Sequence, residues 1–307
     1  MTVHGDRPST TALVNEVSRA RSLYDSVAAE TAHIVIHRYS TSFGLASRLL
    51  GSHVRGHVEN IYALVRLADE VVDGVAASAN LSALQIAALL DTLRRDTLEA
   101  ISVGYSTNLV VHAFAMSARE VGFGPELVEP FYTSMRADLT AAEHTAESFD
   151  AYVYGSAEVV GLMCLAAFLQ GHTFTDAEHA ELVEGARRLG AAFQKINFLR
   201  DLSADFAGLG RSYFPGVTVT SFSEESKAEI IDDIVNDLRI ARAALPLLPT
   251  SSRRAVALAQ GLFAELTRRL RATPAAVLAE TRIRVPNPVK LRIAAAAAAG
   301  RLPKEQQ

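Results

Sequence analysis

Apolar residues recur at intervals of three and four positions along almost the whole chain, which is the period of one face of an α-helix. The pattern predicts a first helix from near Leu13 through Ile36 and a long helix that ends near Gly74. Further helices follow, with breaks at residues 246–252 and 284–290. No strand-like alternation of useful length occurs. The chain is therefore predicted to be all-α, with one domain over residues 11–302 and tails at residues 1–10 and 303–307.

Capping residues predict several helix boundaries. Asn80 or Ser82 can cap a clean amphipathic helix, and Pro125 suits the first turn of another. A mostly buried helix is predicted to be capped by Ser148, to run without interruption and to end at Gly171. Thr175 is expected to begin the helix that follows it.

Composition and charge narrow the function classes. The chain has 307 residues and a formal net charge of -4, so it has no basic excess of the kind that binds a phosphate backbone, and no nucleic-acid partner is expected. The one cysteine, Cys164, lies in an apolar run and is expected in the core. The first residues lack the apolar segment of a secretory signal, so a cytoplasmic protein is expected.

Membrane contact, if it occurs, is expected to be peripheral. No stretch reaches the ~18 consecutive apolar residues of a spanning helix. The segment 290–304 is basic on a short apolar helix, which favours weak association with the anionic inner face of a membrane. The alternative is a terminal helix packed on the bundle.

A polar stripe interrupts the apolar helix around residues 193–215. Asn197, Asp201 and Asp205 are four residues apart and share one helical face, with Gln194 one turn earlier. Two carboxylates and an amide oxygen suit a hard divalent cation such as Mg²⁺, or Mn²⁺ in its place. The ordinary alternative is a solvated helix face.

A second acidic stripe makes the solvated-face interpretation weaker. Asp69 and Asp73 share a face in the sequence RLADEVVDG and follow Tyr62 and Arg66 at helical spacing. Two such stripes can meet across a bundle interior, where the carboxylates would repel each other unless cations lay between them.

The segments YALVRLADEVVDG, NFLRDLSAD and GRSYFP, with YSTSF at 39–43 and YVYGSAEVVGLM at 152–163, resemble the squalene and phytoene synthase family. The resemblance spans roughly residues 35–295. It implies an all-α, single-domain bundle of the isoprenoid synthase type, with a central cavity for a prenyl diphosphate.

The family resemblance implies roles for individual residues. Metal ions would be held by five side chains, namely Asp69, Asp73, Asn197, Asp201 and Asp205. Those four aspartates, with the tunnel tyrosines Tyr62 and Tyr152, would be catalytic. Substrate would be bound by Ser40, Ser42, Phe43, Arg66, Val160, Gly161, Gln194, Arg200, Arg211, Tyr213 and Arg282. For Arg66 and Arg200, the alternative is simple pairing with the adjacent carboxylate.

The chain also departs from the family pattern. Glu70 stands where many relatives have an aspartate, and Thr41 stands where many have a basic residue. Glu158 lies in a segment that is usually Val-Ala-Gly, and Phe263 replaces a family tyrosine. The last two changes bear on the product.

Within the family the motifs look most like bacterial phytoene synthases. This implies the joining of two geranylgeranyl diphosphates into phytoene without NADPH. The alternative is a presqualene, squalene or dehydrosqualene synthase that uses farnesyl diphosphate. A chain-elongating prenyltransferase or a terpene cyclase would not explain YSTSF and GRSYFP, and the non-enzyme alternative is a helical lipid-binding scaffold.

Two histidine patterns compete as metal signals. His53 and His57 are four residues apart, but no third ligand is placed by the sequence, so we interpret them as a surface pair. Glu30 and His33 form one Glu-x-x-His, and the second motif that a di-iron bundle would need is missing.

Overall fold

The predicted helical periodicity is realised as a series of α-helices joined by short turns. The computed structural model of the protein describes residues 10–73, 75–140, 143–209, 212–218 and 221–302, with the backbone alone at 10–17, 41, 42, 77 and 203–209. The described residues contain no strand, only an isolated bridge between Glu143 and Ser212. The all-α prediction is confirmed, and both predicted tails lie almost wholly outside the described residues.

The helices are numbered in chain order. They are α1 (Thr10–Tyr39), α2 (Thr41–Ser47), α3 (Ser52–Asp73), α4 (Val75–Ser78), α5 (Ala83–Val103), α6 (Leu109–Val121), α7 (Pro125–Ala137), α8 (Ala146–Val153), α9 (Val159–Leu169), α10 (Asp176–Leu209), α11 (Glu224–Ala244), α12 (Thr250–Ala272), α13 (Ala275–Leu278) and α14 (Asn287–Ala298). A π-helical segment, Tyr154–Glu158, joins α8 to α9, and a short 3₁₀ turn, Leu245–Leu247, precedes α12.

Two main apolar cores hold the bundle together. The first lies where α3 packs against α1 and α6, and it includes the fully buried Ile61, Leu64 and Phe114. The second lies along α10 and α11, around the buried Ile196 and Ile231. Each such side chain contributes roughly 1.5–3 kcal/mol when it leaves water. The two helices that carry the acidic stripes, α3 and α10, are therefore the best anchored in the fold.

Most predicted boundaries are confirmed, and one is wrong. Ser82 caps α5 in a capping box, and Pro125 is the first residue of α7. The helix α8 is capped by Thr145, whose Oγ1 accepts from the backbone N–H of Ser148 at 3.2 Å, so the prediction of Ser148 as the cap is incorrect. Ser148 closes the same capping box from the third helical position, since its Oγ accepts from the backbone N–H of Thr145 at 2.9 Å.

The predicted continuous helix up to Gly171 is interrupted by the π-helical segment. There the N–H of Val159 donates to the carbonyl of Tyr154, five residues earlier, which is the π pattern. The wide turn packs closely: a Cβ on Gly155 would collide with Ser134 and Pro130 of α7, and one on Gly190 would lie 2.5 Å from the carbonyl oxygen of Ala157. Both close approaches require glycine.

Two features bear on membranes. The run Ala146–Leu169 is long and apolar enough to cross a bilayer by length and composition, but half of its apolar window is buried inside the fold, as in a core helix. The terminal helix α14 packs against α12 through Ile293, Ala294 and the buried Ala297, while Leu291 is exposed. Association of α14 with a membrane stays a prediction.

Candidate functional site

The first acidic stripe lies on the last two turns of α3. Asp73 is exposed and Asp69 is partly buried, one helical turn apart. The pKa of Asp69 is raised to about 8, because burial disfavours its charge and because Asp73 and Asp138 add negative charge nearby, which Arg66 offsets only in part. An added cation would strongly favour the ionised form of the Asp69 carboxyl group.

Asp138, which the sequence analysis missed, completes this cluster from the end of α7. It is 6% exposed. The hydroxyl of Tyr152 donates to both of its carboxylate oxygens, at 2.8 and 2.9 Å, and the hydroxyl of Tyr213 lies 3.4 Å from one of them. The pKa of Tyr152 is raised well above 10, because burial and the Asp138 charge both oppose its ionisation. A lone aspartate at a helix end has no sequence signal that distinguishes it from a surface residue.

Arg66 lies on α3 one turn before Glu70 and pairs with it. Its guanidinium also lies over the ring of Tyr39, with 4.5 Å to the ring centroid. The buried Nε of Arg66 has no hydrogen-bond partner within the described part of the chain. The guanidinium of Arg66 is thus fixed by Glu70, and its Nε–H remains available to donate a further hydrogen bond.

The second acidic stripe runs along α10. Gln194, Asn197 and Asp201 are partly exposed, while Ile196 and Leu199 between them are fully buried, as the helical period predicts. The side chains of Asp205 and Ser42, and the whole of Arg211, lie outside the described residues.

Two guanidinium groups converge on Asp201. Arg200 Nε donates to Oδ1 at 3.0 Å, and Arg282 Nη2 donates to Oδ2 at 3.2 Å, with Arg282 Nε 2.7 Å from Oδ1 in the ion pair. Arg282 comes from the segment between α13 and α14, which is far away in sequence. Arg200 thus pairs with its neighbour Asp201, and the fold brings Arg282 to the same carboxylate.

Aromatic rings connect the two stripes. Phe198 of α10 stacks on Tyr213 at 3.9 Å between ring centroids, and Tyr152 lies 5.5 Å from Tyr213. Tyr213 in turn approaches Asp138 beside the first stripe. Tyr152 and Tyr213 were both predicted from the sequence as site residues. The fold brings them together around Asp138, which was not predicted.

A separate set of aromatic rings forms a wall, which we call the phenyl wall: Phe43, Tyr62, Phe193 and Phe263. Phe193 and Phe263 stack at 3.8 Å, and Phe43 lies 5.8–6.1 Å from the other three rings. Burial raises the pKa of Tyr62, which also hydrogen-bonds Ser40. Phe263, the departure from the family tyrosine, gives this wall an all-carbon face.

The remaining predicted residues have the following places. Ser40 caps α2 through the backbone N–H of Phe43 at 3.0 Å. Val160 and Gly161 lie partly buried at the start of α9. Glu158 accepts a 2.7 Å hydrogen bond from Arg187, so its charge is paired within the π-helical segment. Nothing in the structure assigns a substrate to these positions.

The arrangement has two chemical properties. The carboxylates of Asp69, Asp73 and Asp138 lie near one another, and burial together with the charges of Asp73 and Asp138 raises the pKa of Asp69, so the donor set fits a hard divalent cation with oxygen ligands. The adjoining rings provide an apolar, electron-rich surface. Such a site suits a ligand with an anionic head and a long apolar body.

Comparisons of the sequence with known proteins all point to the same family. The sequence profile of "Squalene/phytoene synthase" matches residues 36–289. The chain is 31% identical over 179 residues to the 15-cis-phytoene synthase of Paracoccus sp., with 58% of this chain and 56% of that protein covered. It is 28% identical over 251 residues to the 15-cis-phytoene synthase of Enterobacter agglomerans, covering 74% and 80%.

Solved structures share the fold. A dehydrosqualene synthase in complex with a ligand superposes with a TM-score of 0.75 at 22% identity, covering 90% of this chain and 97% of that one. The predicted isoprenoid synthase architecture is thereby confirmed. The chain spans about half the length of several curated relatives, namely 56%, 45% and 46% of three of them.

Proposed function

Because the chain belongs to the squalene/phytoene synthase family, we propose that it is a prenyltransferase that joins two geranylgeranyl diphosphates head to head into phytoene. The observation that carries the proposal is the cluster of Asp69, Asp73 and Asp138 beside Arg66, close to an aromatic surface. The acidic cluster suits the diphosphate head and the phenyl wall suits the prenyl chain. The names of the Paracoccus and Enterobacter relatives favour phytoene as the product.

Mg²⁺, or Mn²⁺, would be held by Asp69 and Asp73 on α3 and by Asn197, Asp201 and Asp205 on α10. When bound, it would neutralise the diphosphate and make it a better leaving group. The raised pKa of Asp69 supports this assignment, because positive charge added beside Asp69 would favour its ionised form.

Three arginines can hold the diphosphate. Arg66 can donate its unpartnered Nε–H to a phosphate oxygen while it keeps its pair with Glu70. Arg200 and Arg282 already converge on Asp201, so a phosphate that approaches Asp201 meets two planar guanidinium groups. This geometry would orient the leaving group at the mouth of the apolar surface.

The apolar part would protect the cations that form after diphosphate leaves. The double bond of the second substrate attacks the first allylic cation, and loss of a proton closes a cyclopropyl diphosphate; departure of the second diphosphate then gives a new cation that rearranges. The faces of the phenyl wall and of Tyr152 can stabilise positive charge by cation–π attraction, and a dry surface prevents quenching by water. Loss of a proton ends the reaction, so no NADPH is needed.

The test is a product assay on the purified chain. Geranylgeranyl or farnesyl diphosphate is supplied with Mg²⁺, with and without NADPH, and the extracted hydrocarbons are identified. We expect phytoene from geranylgeranyl diphosphate without NADPH. Preference for farnesyl diphosphate or a need for NADPH would move the protein to the squalene branch, and binding without any turnover would favour a lipid-binding scaffold.

Matched variants test the metal assignment. Asp73→Asn and Asp201→Asn should each abolish turnover and leave the fold intact. Asp150→Asn, at an exposed position on α8, should retain it. Near-normal rates for Asp73→Asn at saturating Mg²⁺ would refute the assignment of these carboxylates.

A further inference from the structure

A second group of metal-binding side chains lies between α1 and α3. His33 and His37 are one turn apart on α1, with ring centroids 4.2 Å apart, and both face Glu59 of α3. His33 Nδ1 lies 3.1 Å from Glu59 Oε2, and His37 Nε2 lies 3.9 Å from Glu59 Oε1. None of the three belongs to the acidic stripes.

The buried carboxylate points to a missing cation. Glu59 is 6% exposed, and its Oε1 has no hydrogen-bond partner among the described residues. A buried carboxylate oxygen without a partner is costly, and His33 satisfies only the other oxygen. A cation between Oε1 and His37 Nε2 would satisfy both atoms.

The distances fit a small tetrahedral ion. Zinc bonds of about 2.0–2.1 Å place neighbouring ligand atoms about 3.4 Å apart. The observed separations of 3.1 and 3.9 Å lie on either side of that value, and all three ligand atoms lie within 4.8 Å of one another. Shifts of the ligand atoms by a few tenths of an ångström would bring them to zinc-binding distances.

The donor set selects the metal. Two imidazoles and one carboxylate form a ligand set of open zinc centres, whereas Mg²⁺ prefers oxygen ligands alone. The side chain of His33 is 54% exposed, which leaves a path for the ion and for a fourth, water ligand. We propose that His33, His37 and Glu59 bind a zinc ion that clamps α1 to α3.

This clamp would act on the neighbouring site by position. Two residues of the neighbouring site follow closely after His37. Tyr39, two residues later, places its ring under Arg66, and Ser40, three residues later, hydrogen-bonds Tyr62. A metal that joins His37 to α3 therefore holds the end of α1 against the helix that carries Asp69 and Asp73. The proposed role of the zinc ion is to hold the two helices together, and its ligands lie outside the carboxylate stripes.

A similar cluster in the same protein offers an internal control. His53 and His57 each lie 3.7 Å from Glu120 Oε1, but the side chain of Glu120 is 52% exposed and can be hydrated. His57 is buried, with Nδ1 3.0 Å from Ser117 Oγ, so the prediction of a surface pair is wrong for that residue. Here no buried carboxylate oxygen lacks a partner within the described part of the chain.

The experiment measures zinc binding to the purified chain after metal removal, in excess Mg²⁺. A fluorescent zinc indicator gives the affinity, and the visible spectrum of added Co²⁺ reports tetrahedral nitrogen and oxygen ligation. The variants are His33→Ala, at a half-exposed position that should not perturb folding, and Glu59→Gln, which keeps the side-chain shape. His53→Ala is the matched control.

We expect the wild type and His53→Ala to bind one zinc ion tightly and to melt at a higher temperature when zinc is added. His33→Ala and Glu59→Gln should lose at least about 100-fold in affinity, since loss of an outer-sphere partner alone costs 10- to 100-fold. They should also lose the tetrahedral Co²⁺ spectrum. The proposal is overturned if the wild type does not bind zinc, if His33→Ala binds as tightly as the wild type, or if His53→Ala abolishes binding.

Discussion

The buried ion pair between Lys195 and Asp237 ties α10 to α11, and its removal is predicted to destabilise the protein substantially. Asp237 is fully buried and accepts from Lys195 Nζ at 2.8 Å and from Arg188 at 3.2 Å. Lys195→Met would leave the Asp237 carboxylate with Arg188 alone. Loss of one partner from a buried pair costs about 3–5 kcal/mol, and the remaining arginine places this case near 3.

That free energy converts into a measurable melting shift. At about 2.1 cal/mol/K per residue, 307 residues give an unfolding entropy near 0.6 kcal/mol/K, so about 3 kcal/mol lowers Tm by about 5 °C. Burial alone would lower the pKa of Lys195, but Asp237 and Asp233 more than compensate and raise it. The ammonium's contribution is therefore complete below the ordinary pKa of 10.5 and lost as the pH rises through the folded-state pKa. The stabilities of the wild type and the variants should therefore be compared at neutral pH.

Three further variants isolate the pair. Asp233→Asn removes a half-exposed partner of Lys195 and should cost less than about 1 kcal/mol. The double variant Lys195→Met with Asp237→Leu removes both buried charges and should recover most of the loss, while Arg188 keeps Glu184 at 2.6 Å. Urea and thermal unfolding of the wild type, the single variants Lys195→Met and Asp237→Leu, and the double variant give the coupling energy. A cost below about 1 kcal/mol for Lys195→Met, or strictly additive losses in the double variant, would refute the reasoning.

Three other outcomes are expected. Gly190→Ala should destabilise the protein by about 1–3 kcal/mol, because its Cβ would lie 2.5 Å from a carbonyl oxygen of the π-helical segment. Gly56→Ala, which has open space on α3, should stabilise the protein by about 0.5–1 kcal/mol. Equal melting shifts for the two variants would count against this account of the packing. The Cys164 thiol is partly buried, and burial raises its pKa to about 12, so it should react with a disulfide reagent much more slowly in the native protein than after unfolding; equally rapid reaction of the native protein would contradict this. Tyr152→Phe should lower stability by about 1.5–3 kcal/mol and reduce turnover, because Asp138 loses the hydroxyl that donates to both its oxygens; unchanged unfolding and turnover would show that this contact is unimportant.

The parts of the site that lie on single helices were predictable from sequence. Asp69 and Asp73, and likewise Asn197 and Asp201, share a face because the helical period alone determines it. Asp138 was not predictable, since its importance comes from contacts with Tyr152 and with a residue 75 positions further along the chain.

The fold shows the same division between local and long-range information. Ser82 and Pro125 mark helix starts through local capping chemistry, so the sequence predicted them. The π-helical segment depends on Gly155, which allows α7 to approach it, and on Gly190 of α10, which approaches Ala157, so its packing comes from helices far away in sequence. His57 was misassigned to the surface because the burial comes from α6, which the local pattern does not contain.

The π-helical segment also has an evolutionary consequence. Tyr152 and Val160 are eight positions apart, which on a regular α-helix would leave them about 80° out of phase. One π turn absorbs an additional residue, so the spacing acts as seven and brings the two within about 20° of the same face. A homologue with a one-residue deletion between positions 154 and 158 would therefore regain a regular helix and keep the residues on either side of the deletion in the same phase. In this stretch of the chain, an alignment gap of a single residue marks the loss of the wide turn, whereas a one-residue gap inside a regular helix would rotate the residues after it by about 100°.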